Sequence, residues 1–164
     1  MKVFGLKFLA GIAALTILGS LPVKAQTGPQ PTVRMNAQEK KNLQFVLDWW
    51  RQVIQARHVE LAEKYQAEDY IQHNPNIPTG RAAFVKVFGA RPPVNPIPDE
   101  LNPAPVAAFA QGDYVALIWE RQDKDPADPS KIYYYNTFDV VRIENGKVQE
   151  HWDSALKNPP GGGR

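Results

Sequence analysis

A histidine and an aspartate lie two residues apart near the end of the chain, at His151 and Asp153. Residues at positions i and i+2 of a β-strand point to the same side of a sheet, so the two side chains would share a face if this segment is extended. An imidazole beside a carboxylate can accept and donate protons near neutral pH. The spacing therefore indicates general acid–base chemistry, although the solvated end of an edge strand would look the same.

A β-hairpin is the element that would position this pair. Residues 133–153 form an aromatic and β-branched run, then Asn145-Gly146, then a returning run. Asn-Gly between two such runs is typical of a two-residue type I′ turn, which sets the register of the hairpin. A regular ladder from that turn predicts two cross-strand pairs near its open end, Val140 with His151 and Phe138 with Asp153.

This register assigns the side chains to two faces. One face would line a pocket, and it carries Tyr134, Asn136, Phe138, Val140, His151 and Asp153. The other face would pack under helices or against a partner, and it includes Asp139, Glu150 and Trp152. A carboxylate and an imidazole on an otherwise apolar face are typical of an acid–base site inside an apolar pocket.

Helices precede the strands in the chain. Asn36 and Glu39 have the spacing of a capping box, and apolar residues then recur at helical spacing as far as Ile54. Shorter helices are predicted over 59–67 and 81–88. A further hairpin is predicted over 106–121. Segregated helices and strands in one small domain predict an α+β fold, with three N-terminal helices on one face of a strongly curved antiparallel sheet.

The connections contain the other two histidines. His73 comes where a helix is predicted to end, just before Asn74-Pro75, and loops there often present functional side chains. Its alternative role is to stabilise a turn, and His58 is interpreted as a surface or helix-terminus residue. The six prolines of residues 89–105 exclude a helix or a central strand. That segment is predicted to be a stiff connector, with a lid over a pocket as the alternative.

The first 25 residues are predicted to be a secretory signal peptide. They combine Lys2 and Lys7 with an apolar run and with the small residues Val23 and Ala25, after which cleavage is expected. The protein would then be exported, to the periplasm or outside the cell, with no stable membrane anchor. The remaining chain divides into a flexible leader at 26–35, one domain at 36–157 and a disordered tail at 158–164.

Composition excludes several classes of function. Residues 1–25 hold three of the 19 basic residues and none of the 17 acidic ones, so the mature chain would carry one acidic residue more than basic. It therefore offers no electrostatic basis for binding nucleic acid. The absence of cysteine excludes disulfides and thiolate sites, and the three histidines lack zinc-motif spacing. No metal and no cofactor are predicted.

Two motifs and the long first helix resemble a known family. The motifs are Tyr-Ile-Gln-His-Asn-Pro at 70–75 and Gly-Lys-Val-Gln-Glu-His-Trp-Asp at 146–153. Together they resemble the SnoaL-like branch of the nuclear transport factor 2-like superfamily, which also contains ketosteroid isomerases. The resemblance implies a cone-shaped α+β barrel, a homodimer formed through the sheet, and acid–base chemistry without a cofactor.

The resemblance also implies roles for individual residues. Asp153 would be the acid–base group, with His151 and His73 beside it as further catalytic residues. Substrate-binding residues would be Tyr70 and Asn74 near the mouth, together with Trp119, Phe138 and Val140. The expected reaction is removal of a proton α to a carbonyl of a small hydrophobic molecule, followed by cyclisation, isomerisation or elimination.

Three alternatives stay open at this point. The domain could bind a small hydrophobic ligand without catalysis, or serve only as a dimerisation module. An epoxide-hydrolase arrangement needs Asp, Arg and Asp around a water molecule, but the predicted register places Arg121 on a different face from Asp153.

Overall fold

A computed structural model describes residues 34–158 of the 164-residue chain. The helices are α1 (Ala37–Trp49), α2 (Ala62–Tyr65) and α3 (Arg81–Phe88), with a π-helical turn at Trp50–Gln55 and a 3-10 turn at Val59–Leu61. The strands are β1 (Gln66–Gln72), β2 (Ala107–Gln111), β3 (Tyr114–Lys124), β4 (Ile132–Glu144) and β5 (Lys147–Asp153). The predicted signal peptide, leader residues 26–33 and tail residues 159–164 lie outside the described residues, so export remains a prediction.

Helix α1 begins where the sequence predicts. The Asn36 side chain accepts a hydrogen bond from the Glu39 backbone N–H at 2.9 Å, and the Glu39 carboxylate accepts one from the Asn36 N–H at 2.7 Å. This capping box satisfies two backbone donors that the first turn cannot pair. The helix then widens into the π-helical turn, a deviation that occurs often at functional sites. Within residues 34–158, no helix has both the length and the apolar character that crossing a membrane requires.

The five strands form a mixed sheet in the order β1-β5-β4-β3-β2. Strand β1 pairs with β5 in parallel, and the other neighbours are antiparallel. The prediction of a wholly antiparallel sheet is wrong, because residues 66–72 form a strand where a helix end and a loop were expected. The predicted strong curvature is also not found. The sheet is open, with β1 and β2 at its edges, so no pairing forces it to close.

The core lies between the helices and one face of the sheet. On β3, buried Val115, Leu117 and Trp119 alternate with more exposed residues, as expected for a strand covered on one side. Helix α1 contacts β2 and β3, while α3 contacts β1. Other fully buried core side chains are Val46, Trp49, Val53, Tyr65, Tyr70, Phe84, Val141 and Val148. The α+β class is therefore confirmed.

The proline-rich segment 89–105 contains neither helix nor strand, as predicted. It is tied to the first helical segment by several hydrogen bonds. Arg51 Nη1 donates to the Pro98 carbonyl and the Val94 N–H donates to the Ala56 carbonyl, both at 2.8 Å. The segment is thus a tethered connector.

His58 fastens the same connector. Its ring nitrogens contact the Glu60 carboxylate at 2.6 Å and the Val94 carbonyl at 3.0 Å. The imidazole is buried and precedes the 3-10 turn, so the surface interpretation is wrong and the helix-terminus interpretation is right. The hydrogen bond with Glu60, and then the one with Val94, raise the pKa of His58 above its ordinary value of 6.5.

The raised pKa predicts a pH-dependent contribution to stability. Protonated His58 stabilises the fold fully below about pH 6.5, and this contribution is lost as the pH rises through the higher folded-state pKa. Glu60→Gln removes the largest cause of the shift. We expect the difference in free energy of unfolding between wild type and Glu60→Gln to be larger at pH 6 than at pH 8.5, measured by urea denaturation. An equal difference at both pH values would contradict this role.

Candidate functional site

A β-bulge sets the positions of the candidate catalytic residues. The β4–β5 ladder starts with Glu144 opposite Lys147, but Gln149 is an additional residue that has no partner on β4. Beyond it, Val141 faces His151 and Asp139 faces Asp153. One additional residue moves the following side chains to the other face. The predicted pairs Val140–His151 and Phe138–Asp153 are therefore wrong.

The bulge has a physical cause in the charge of Glu150. A regular ladder would place Glu150 opposite Val141, on the buried face. The bulge instead places Glu150 opposite Arg142 on the other face, where Arg142 Nη2 lies 2.6 Å from its carboxylate. Burying a carboxylate without a partner costs several kcal/mol, so the bulged register avoids a large penalty.

Asp139, His151 and Gln72 form a buried hydrogen-bonded chain. His151 Nε2 lies 2.9 Å from Asp139 Oδ1, and His151 Nδ1 lies 2.9 Å from Gln72 Oε1. Asp139 and His151 are only 8% and 6% exposed. Strands β4, β5 and β1 contribute one residue each, since β5 lies between the other two in the sheet. The imidazole is thus held from both sides.

The neighbours of Gln72 assign the protons of this chain. The Asn74 backbone N–H can only donate, and it donates to Gln72 Oε1 at 3.0 Å, while Gln72 Nε2 donates to the Tyr70 hydroxyl at 3.0 Å. Because Oε1 is an acceptor, the His151 nitrogen facing it must be a protonated donor. The contact between His151 Nε2 and Asp139 then needs one further proton, on the imidazole or on the carboxyl. Asp139 and His151 are therefore joined by a hydrogen bond along which a proton can be transferred.

Asp153 lies beside this pair. One of its carboxylate oxygens accepts from Asn74 Nδ2 at 2.6 Å and the other from the Ala155 N–H at 2.9 Å. One side-chain donor atom from each of Asp139, His151 and Asp153 lies within 4.8 Å of the others. The same three groups could ligate a divalent cation, which would have to displace the proton between His151 and Asp139. Without a metal, they are equipped for proton transfer.

Tyr70 adds a hydroxyl to this group. The side chain is fully buried, and burial, followed by the charges of Asp153 and Asp139, raises the pKa of Tyr70 well above its ordinary value. The phenol therefore stays protonated. Its oxygen already accepts from Gln72, so its hydrogen is available to a further acceptor.

These groups lie at a cavity of about 990 Å³. Aromatic side chains form much of its wall, and they are Trp49, Trp50, Phe84, Phe88, Tyr133 and Tyr135. The polar part of the lining includes Tyr70, Gln72, Arg121, Thr137, Asp139, His151 and Asp153. No residue of segment 89–105 lines the cavity. An apolar wall with a few convergent polar groups is typical of small-molecule sites.

Several predicted site residues are not brought to the cavity. His73 lies on the outer face of the sheet, where it contacts the Glu150 carboxylate at 2.9 Å and stacks on Trp152 at 4.6 Å. It follows Gln72 directly, so it points to the opposite side of the extended chain. Val140 lies on the opposite face of β4 from Asp139 and does not line the cavity. Phe138 is on the same face of β4 as Val140, but it is among the residues that line the cavity.

Other predicted residues lie at or near the site. His151, Asp153 and Tyr70 line the cavity, and Asn74 holds Asp153 without lining it. Trp119 is on the inner face but lies under Arg121, outside the cavity lining.

Sequence reasoning missed Gln72, Asp139 and Arg121. Extended backbone from Tyr70 to Gln72 would have placed both side chains on one face, but the polar segment 66–72 gives little indication of a strand. Asp139 and Arg121 were assigned to the wrong face because one residue of bulge inverts the alternation. The charge of Glu150, adjacent to His151, was the available indication of that bulge.

Three solved structures show what the chain is similar to. A candidate polyketide cyclase from Acidithiobacillus ferrooxidans is 19% identical, with 73% of this chain and 89% of that chain covered and a TM-score of 0.48. An NTF2-like protein from Burkholderia xenovorans is 16% identical, with coverages of 70% and 88% and a TM-score of 0.49. A candidate ketosteroid isomerase from Kribbella flavida is 15% identical, with coverages of 76% and 86% and a TM-score of 0.49. Identities this low carry no information about activity.

Sequence comparison gives the family. No curated protein matches the chain. A family profile described as the SnoaL-like domain matches residues 46–151, which include the 70–75 motif, the strands β1 to β4 and most of β5. The chain belongs to the SnoaL-like family, as its two motifs predicted.

Proposed function

We propose that this protein is a cofactor-independent acid–base catalyst that removes a proton α to the carbonyl of a small aromatic or polycyclic ketone. Cyclisation, isomerisation or elimination would follow from the resulting enolate. The observation that carries the proposal is the hydrogen-bonded pair of Asp139 and His151, held by Gln72 and placed beside Asp153 at an aromatic cavity.

Each group has a role that its contacts support. Asp153 is the base, because hydrogen bonds from Asn74 and Ala155 fix its carboxylate at the cavity. His151 with Asp139 is the proton donor for the developing enolate oxygen, and the Tyr70 hydroxyl is a second donor. Donors fixed in place before the reaction stabilise developing charge more effectively than mobile water does. The aromatic wall binds the body of the ketone and excludes water.

Deuterium exchange tests the proposal directly. The acetyl protons of 2-acetylnaphthalene in D₂O are followed by ¹H NMR with and without the protein. We expect exchange faster than in a buffer blank with matched ionic strength. Binding of the ketone without faster exchange would overturn the catalytic proposal and would favour the alternative function, a module that only binds hydrophobic ligands.

We also propose that the protein forms a homodimer through the outer face of the sheet. That face carries large exposed side chains, with Phe138 50% and Tyr134 65% exposed. Tyr114 and Trp152 continue the patch, with ring centroids 6.1 Å apart. Contiguous exposed apolar surface of this kind usually marks an interface.

Phe138→Glu should therefore convert the dimer to a monomer. A charge at the middle of an apolar interface must be desolvated without a partner, which costs several kcal/mol. Size-exclusion chromatography with light scattering measures the mass. Val87→Glu is the matched control, because Val87 is 44% exposed on α3, away from the sheet. A wild-type protein that is monomeric at about 100 μM would contradict the proposal.

A further inference from the structure

Arg121 lies in the wall of the cavity and is not engaged in an ion pair within residues 34–158. Arg51 and Arg142 pair with carboxylates, and Arg57 and Arg81 donate to backbone carbonyls. Arg121 forms no ion pair with any residue of the described chain. Its only hydrogen bond there runs from Nε to Thr137 Oγ1 at 3.2 Å. Both terminal amino groups of its guanidinium are thus free to bind another molecule.

The guanidinium is also held in place. Its central carbon lies 5.4 Å from the ring centroid of buried Trp119, and Thr137 sits directly opposite Trp119 in the β3–β4 ladder. Stacking on an indole and donating to a hydroxyl limit the rotamers of a long side chain. A preorganised, half-buried fork of N–H groups binds a carboxylate through two parallel hydrogen bonds. We propose that Arg121 binds a carboxylate of the substrate.

This assignment names the substrate class as an aromatic keto acid, and it rests on the proposed acid–base function of the same cavity. Asp139 and Asp153 lie at the end of the cavity where proton transfer takes place, and they repel an anion there. A carboxylate on the ligand is therefore directed toward Arg121, which leaves the carbonyl at His151 and Asp153. Asp123 also lines the cavity, on the same face as Arg121, but it is exposed, forms no ion pair with Arg121, and its carboxylate accepts from the Lys124 N–H.

The register gives the spacing of the two ends. Thr137, which holds the Arg121 guanidinium, is two residues from Asp139 on β4. Two residues of strand span about 7 Å. The distance between the carboxylate and the reacting carbonyl of the ligand is therefore about the length of one aromatic ring. A para-substituted benzene has this separation, so 4-acetylbenzoate is a suitable probe and 4-acetylbenzamide its neutral isostere.

Calorimetry and NMR with these two probes test the assignment. We expect wild type to bind the acid about tenfold more tightly than the amide, because the bidentate pair is charge-assisted. Arg121→Gln should remove this preference by weakening the binding of the acid far more than that of the amide. Arg121→Lys keeps the positive charge but not the two parallel N–H groups, so it should retain part of the preference for the acid. This variant replaces Arg121→Gln if the latter does not fold. Arg91→Gln is the control, since Arg91 is exposed in the connector.

Three results would overturn the assignment: equal affinity of wild type for the two probes, a preference that survives both Arg121 substitutions, or no saturable binding of either probe. Exchange of the acetyl protons of both probes is measured as well, so that failure of the Arg121 assignment can be distinguished from failure of the proposed acid–base function. Exchange of both probes without an acid preference overturns the role of Arg121 alone. An acid preference that depends on Arg121, without any exchange, overturns the acid–base function alone.

Discussion

Asp153→Asn is expected to lower the rate of α-proton exchange by about a hundredfold to ten-thousandfold, the range that a positioned general base contributes. An amide cannot accept a proton from carbon. The substitution preserves the shape of the side chain, so the cavity and the aromatic wall stay the same. A loss of this size would identify the Asp153 carboxylate as the base.

The effect on stability should be small by comparison. Asp153 accepts one hydrogen bond at each oxygen, from Asn74 and from the Ala155 N–H. Asparagine has one oxygen, so one of these donors loses its acceptor. Asn74 cannot rotate its amide to compensate without cost, because its own oxygen accepts from the Asn76 N–H. We expect a loss of about 1 kcal/mol in the free energy of unfolding.

The measurements are the NMR exchange rate and urea denaturation of the same preparations. Asp99→Asn is the matched control, because Asp99 is exposed in the connector and accepts no hydrogen bond from a side chain of the described residues. It should leave both quantities unchanged. An Asp153→Asn variant that exchanges within threefold of wild type would show that the carboxylate is not the base.

The sequence predicted well those elements whose causes are local. The capping box at Asn36 fixes the start of α1, the arrangement of apolar residues identifies α3 at 81–88, and Asn145-Gly146 identifies the hairpin turn. Asn145 and Gly146 both have positive φ, at 50° and 72°, as a type I′ turn requires. Each of these features depends on neighbours within about four residues.

The features that the sequence did not predict depend on distant partners. Strand β1 has a polar sequence and exists because it pairs with β5, about 80 residues later. The bulge at Gln149 depends on the balance between pairing Glu150 with Arg142 and burying it beside Val141. The pattern of apolar and polar residues within one segment gives no information about either of these long-range interactions. Of the predicted site residues, Tyr70, Phe138, His151 and Asp153 line the cavity, whereas Asp139, Gln72 and Arg121 were not among the predicted ones.

Gln72 should act as a positioning residue, and Gln72→Leu is the substitution that shows it. Leucine has a similar size but no polar atoms. The Asn74 N–H, the His151 ring and the Tyr70 hydroxyl each lose a hydrogen-bond partner in a buried region. We expect the free energy of unfolding to fall by about 2–3 kcal/mol, because buried polar groups left without partners are costly.

The catalytic consequence follows from the tautomer of His151. With Gln72 present, the nitrogen facing it is the protonated one and Nε2 faces Asp139. With leucine there, nothing requires that tautomer, and the ring can turn away from Asp139. We expect the exchange rate to fall by about tenfold to a hundredfold. The ¹⁵N chemical shifts of the His151 ring report its protonation directly, and the Nδ1 shift should move from that of a fully protonated nitrogen toward that of a partly protonated one.

Gln72→Glu distinguishes the effect of Gln72 on the orientation of the His151 ring from its effect on the stability of the fold. Its carboxylate oxygens still accept from His151 and from the Asn74 N–H, so the tautomer should be retained even though a charge is added. Gln111→Leu is the control, since Gln111 is exposed on β2, lies outside the cavity lining, and its side chain forms no hydrogen bond within residues 34–158. It should change stability by no more than about 0.5 kcal/mol. Unchanged ¹⁵N shifts in Gln72→Leu, whatever its stability, would show that Gln72 does not set the protonation of His151.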